Sequence, residues 1–137
     1  GPAERKAPVL ELSSLEGKKQ TVPSADARAT MLVFWYSSCE YCQAEAPQIQ
    51  RLYDKFSSQG LAIQAVNVHD RPPVAKRFMA ERGLNYPVLL DPHQRAAEAY
   101  RVVGVPRIVL VDNAGYIVYE EYSVPDDAHV REVLGIR

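Results

Sequence analysis

Only two cysteines occur in the 137 residues, Cys39 and Cys42, and they stand three apart. A pair that close staples no scaffold, so its use is chemistry or metal. Cys39 follows the apolar run Met31–Tyr36 and precedes a stretch of helical periodicity, which places it at a helix start. The unpaired N–H groups and positive dipole end there favour an anion, so a Cys39 thiolate is expected to be stabilised and exposed for attack on a disulfide. Cys42 lies one turn further in, at the head of the apolar stripe Cys42, Ala46, Ile49, Leu52, Tyr53, Phe56. A shielded thiol at that position is suited to resolve a mixed disulfide by attacking the sulfur of Cys39.

Other uses of the pair fit less well. A zinc site needs two more ligands, and His69, His93 and His129 are scattered singly, without a His-x₃₋₅-His pair. A Cu(I)-binding metallochaperone module would use the same thiolates, but no Met-rich or additional soft ligand set accompanies them. A peroxidase would need a Pro and a Thr or Ser upstream to polarise the peroxide, and Tyr36 stands where that hydroxyl is expected.

The elements that must position the cysteines follow from periodicity. Met31–Tyr36 and Leu61–Val68 read as buried strands, with the Cys42–Phe56 helix between them. A second helix follows Pro72-Pro73 and stops near Gly83, and Val88–Leu90 is a short strand. Gln94–Tyr100 is a short helix, Arg107–Val111 and Tyr116–Tyr122 flank a hairpin turn, and Asp126-Asp127 open a C-terminal helix. Near the start, Ala7–Leu12 reads as a short edge strand. Strand–helix–strand crossovers imply parallel pairing in the middle, and the hairpin adds antiparallel strands. The fold class is α/β, a mixed sheet with helices on both faces.

Composition sets the outer bounds. A chain of this length is one domain, and 47% apolar with 24% charged residues is enough for a core. Sixteen Lys+Arg against seventeen Asp+Glu give a net charge of −1, which argues against a nucleic-acid partner. No apolar run reaches the ~20 residues of a membrane helix. Gly1-Pro2 reads as the remnant of a cleaved tag. Residues 1–6 are therefore expected to be a tag remnant and disordered segment, and residues 7–137 the domain.

The segments Val33-Phe34-Trp35-Tyr36-Ser37-Ser38-Cys39-Glu40-Tyr41-Cys42, Glu45-Ala46-Pro47, Ala65-Val66-Asn67-Val68, Tyr86–Asp91 and Gly104-Val105-Pro106 together resemble the thioredoxin superfamily. The resemblance is nearer to its TlpA/ResA/CcmG-like extracytoplasmic branch, and the helix and strand between residues 69 and 90 look like that branch's insertion. Two positions depart from the pattern: Ser38 replaces the usual Trp before the first cysteine, and Tyr41 the frequent Pro before the second. Val33 stands where plain thioredoxins carry a buried Asp.

The resemblance implies a thioredoxin-like fold and a protein thiol–disulfide oxidoreductase, with the redox-active Cys39–Cys42 disulfide and no other cofactor. The expected activity is reduction of partner-protein disulfides of the cytochrome c maturation or metal-site assembly type, with a disulfide oxidase or isomerase as the alternative. It implies a cis bond at Pro106, with Val105 and Pro106 binding an extended client segment. Trp35 and Tyr41 are further candidates for client contact. Asp70 falls where the branch places a carboxylate, which makes it a candidate proton acceptor for Cys42. Its alternative is to cap the helix after Pro72. Arg107 would meet an acidic partner or simply water. Implied partners are disulfide-bearing client proteins and a transmembrane thiol electron donor. The implied location is the periplasm or outer membrane face, with a membrane anchor in the full-length protein. A monomer is expected.

Overall fold

The computed structural model describes residues 5–137. An eight-stranded mixed sheet has the order β1-β8-β7-β4-β5-β6-β2-β3. Its strands are β1 (Arg5–Lys6), β2 (Leu10–Ser14), β3 (Lys19–Val22), β4 (Ala29–Trp35), β5 (Leu61–Asn67), β6 (Val88–Leu90), β7 (Arg107–Val111) and β8 (Tyr116–Glu121). The helices are α1 (Glu40–Phe56), α2 (Pro72–Glu81), α3 (Arg95–Ala99) and α4 (Asp127–Leu134).

Every residue of β4 is buried, because helices cover both faces of this central strand. The pleat sends alternate side chains to opposite sides. Met31, Val33 and Trp35 join α1, α2 and α4 in one core, while Leu32 and Phe34 join Ala96, Ala97 and Tyr100 around α3 in the other. β4 pairs with β5 in parallel, as the α1 crossover demands, and with β7 antiparallel. The parallel register sets Trp35 opposite Asn67, which aligns the ends of both strands along one edge of the sheet. α1 buries Cys42, Ala46, Ile49, Leu52 and Phe56, the expected stripe without Tyr53, which is only half-buried. Asp126 caps α4, its carboxylate accepting the His129 N–H at 2.8 Å.

The start of the chain differs from expectation. Of the residues expected to be disordered, 1–4 lie outside the described residues, but Arg5–Lys6 form β1 against Ile117 and Tyr116 of β8. Arg5 is held there by Glu120 at 3.0 Å, and the Lys6 ammonium donates to Ala114 O. The first long strand lies at Leu10–Ser14 rather than Ala7–Leu12, because it is the middle partner of an antiparallel trio with β3 and β6.

Candidate functional site

Cys39 is the N-cap of α1: its backbone is extended and its Sγ accepts the Cys42 N–H at 3.1 Å. An N-cap normally presents an oxygen to these free N–H groups, and here a sulfur takes that place. Across the gap, the Cys39 thiol donates to Val105 O at 3.7 Å. The Val105–Pro106 peptide bond is cis, and Pro106 is buried. Both cysteines are free thiols.

Cys39 was expected to be exposed, and it is not. It shows 9% of its surface to Cys42's 4%, since the Val105 carbonyl lies against its outer side. Burial drives the Cys42 thiol far above its usual range, and the hydrogen bond with Cys39 raises it further. The two sulfurs are thus unequal: one meets a helix terminus and a loop, the other a dry core.

Asp70 ties the active-site loop to the end of β5. Its Oδ2 accepts the Ser37 N–H at 2.7 Å and the Asn67 Nδ2–H at 2.8 Å, while its Oδ1 accepts the Ser37 hydroxyl at 2.9 Å. Asn67 Oδ1 in turn accepts the Asp70 N–H at 2.7 Å. The N-cap of α2 is Arg71, with no side-chain cap, so the capping reading is corrected. The physical reason is the strand register, which sets Asn67 beside Trp35 and so brings the residue 67–70 turn under the Ser37 loop. The loop is tied a second time where Gln43 Nε2 donates to Ser37 O at 2.8 Å.

Trp35 is also corrected as a client contact. Only 4% exposed, it packs on Phe78 in the core and offers a partner no surface. Tyr41, 79% exposed, stands beside an open groove of about 500 Å³ lined by Glu45, Val105, Pro106 and Tyr122. Glu45 is more than a wet helix-face residue, because its carboxylate accepts the Val124 N–H at 2.9 Å and fixes the groove's far wall. Arg107 is half-buried, lies over the Tyr122 ring and reaches Glu120 at 3.5 Å rather than pointing into water. Ser37, Asn67 and Glu45 are the site residues that sequence reasoning missed. All three stood in the quoted segments, but nothing in their spacing joined Ser37 to Asp70, 33 residues away, or Glu45 to Val124, 79 residues away.

A helix-start dithiol facing a cis-proline loop, on this sheet, defines a thioredoxin-like protein. Residues 3–120 match the AhpC/TSA family, and the chain belongs to it. It is 34% identical over 112 residues to the Bacillus subtilis protein named thiol–disulfide oxidoreductase ResA, covering 82% of this chain and 63% of that protein. The chain therefore spans somewhat less than two thirds of that relative. The thioredoxin domain of a thiol–disulfide oxidoreductase from Bacteroides vulgatus superposes with a TM-score of 0.83 at 26% identity, over 95% of this chain and 96% of that one. StoA from Bacillus subtilis superposes with a TM-score of 0.77 at 25% identity, over 93% and 96%.

Proposed function

We propose that the protein is a thiol–disulfide oxidoreductase that reduces disulfides in partner proteins through Cys39 and Cys42. The observation that carries this reading is the asymmetric pair, with Cys39 Sγ on the α1 N-terminus facing Val105 O and Cys42 buried behind it. The Cys39 thiolate attacks one sulfur of a client disulfide, and the other client sulfur leaves and takes up a proton. Cys42 then loses its proton and attacks Cys39, forming the Cys39–Cys42 disulfide and releasing the second client sulfur as a thiol. The client gains two electrons and the protein loses them.

The groove beside Tyr41, Val105 and Pro106 is where an extended client segment would lie. The resemblance to the TlpA/ResA/CcmG-like branch, with which the likeness to ResA agrees, implies a site of action outside the cytoplasm and clients of the cytochrome c maturation or metal-site assembly type. Electrons would then arrive from a transmembrane thiol donor, and the full-length protein would carry a membrane anchor. No helix among the described residues is long and apolar enough to cross a membrane.

Trapping tests the roles. Cys42→Ser should accumulate mixed disulfides with clients, and Cys39→Ser should not; trapping by Cys39→Ser instead would reverse the assignment. The reduction potential of the pair tests the direction, since a reductant lies far below the strong oxidants near −120 mV.

A further inference from the structure

The resolving step requires Cys42 to lose its proton inside a core that opposes the loss. Of the charged groups around the dithiol, Glu40 on the first turn of α1 is exposed to solvent, and two others are engaged. Asp70 is held by Ser37 and Asn67, and Glu45 by the Val124 N–H. From β4, the apolar Val33 faces Cys42 across a small cavity. Beyond Cys39, the titratable group left beside Cys42 is the phenol of Tyr86, which precedes β6 and is buried. Burial raises its pKa, and the charge of Cys42 raises it further, so the ring reaches the field of the sulfur while keeping its proton.

Val33, Trp35, Cys42, Phe78, Tyr86 and Pro106 line this cavity of about 10 Å³. That is room for one water molecule, which needs two to four polar partners to stay. Trp35 Nε1 is buried with no hydrogen-bond partner among the described residues. An orphaned buried donor calls for such a partner. One water there would accept from Trp35, exchange hydrogen bonds with Tyr86 and face the Cys42 sulfur.

We propose that Tyr86 is a positioning residue for the resolving step, its hydroxyl donating through this water-sized cavity to the Cys42 thiolate as it forms. The proton released from Cys42 ends on the departing client sulfur, so the step remains Cys42–SH plus Cys39–S–S–client giving Cys39–S–S–Cys42 plus client–SH. Tyr86 gives up no proton of its own; it lowers the cost of the anion.

This rests on the roles assigned to the cysteines, and one assay separates the two claims. Reduced protein mixed with one equivalent of Ellman's reagent releases thionitrobenzoate first by attack of Cys39, then again as Cys42 resolves the mixed disulfide. Cys42→Ser should keep the first phase and lose the second; persistence of both would overturn the roles themselves. Tyr86→Phe keeps the buried ring and should leave the first phase unchanged. Its second phase should slow about tenfold, the effect of one charge-assisted hydrogen bond. The midpoint of that phase's pH profile should also move up by about one unit. Trp35→Phe, which removes the other donor, should slow the same phase. A second phase that is unaltered in Tyr86→Phe, or slowed with its pH midpoint in place, would reduce Tyr86 to packing and overturn the proposal.

Discussion

Replacing Asp70 separates an anchor of the active-site loop from a proton acceptor. Its carboxylate accepts three hydrogen bonds, two from Ser37 and one from Asn67. In Asp70→Ala the Ser37 and Asn67 N–H donors lose their acceptor at a half-buried place, at a cost of about 2–3 kcal/mol. With an unfolding entropy of roughly 2.1 cal/mol/K per residue, that lowers Tm by about 7–10 °C. Asp70→Asn should cost about 1 kcal/mol or less. Its carbonyl can replace Oδ2, and its NH₂ can donate to the Ser37 hydroxyl, which turns to accept. Calorimetry of both variants gives the ratio, and the two-phase thionitrobenzoate assay gives the chemistry. An anchor predicts that Asp70→Asn leaves the pH profile of Cys42 resolution in place. If that profile moves while Tm barely changes, Asp70 is a proton acceptor and the reasoning from its hydrogen bonds fails.

Other outcomes follow from the ion pairs and buried phenols. Asp127 meets Lys55 at 2.7 Å and Arg51 at 3.0 Å, joining α4 to α1, and the Lys55 hydrogen bond is the main cause of its lowered pKa. A depressed carboxylate stabilises above its unfolded pKa of about 3.9 and loses that contribution as pH falls through the folded value. Asp127→Asn should therefore cost about 0.5–1 kcal/mol at neutral pH, less in high salt, and nothing in strong acid, as urea titrations would show. At the alkaline end, burial raises Cys42, Tyr86 and Tyr100. Their stabilising share is complete below their unfolded values, roughly 8.5 for the thiol and 10 for the phenols, and drains away above them. Tm of the reduced protein should fall from about pH 9 upward, with a smaller slope in Cys42→Ser. Tyr100→Phe removes a hydrogen bond to Pro8 O at 2.5 Å. It should cost about 1 kcal/mol and quicken proteolytic cleavage after Lys6.

The central strands and the buried stripe of α1 were legible because they rest on local signals. A six-residue apolar run can only be buried, and a stripe at steps of three and four can only be one helix face. β3 was not legible: Lys19-Gln20-Thr21 are all exposed, so an outer strand of this kind has no alternation to read. β1 is two residues long and exists by virtue of β8. The expected exposure of Cys39 failed because its cover, Val105, lies 66 residues away and acts through a backbone carbonyl that any residue could supply. The loop-anchoring contact of Asp70 was hidden in a similar way. Its partner Ser37 is 33 residues upstream, and polar pairing across the sheet leaves no periodic trace.

The sheet order puts the first described residues at both borders, β1 at one edge and the β2–β3 hairpin at the other. β1 pairs with the beginning of β8, next to the Asp112–Gly115 turn, where Ala7 N donates to Gly115 O. Thr30 pairs with Val111 and Phe34 with Arg107, so that turn lies at the pole of the sheet opposite the dithiol. β1 runs antiparallel to β8, so from Arg5 to Ala7 the chain passes along this edge toward the turn and away from the dithiol. A tether joined upstream of Arg5 would therefore approach along the β8 edge from the side of the dithiol rather than from the turn.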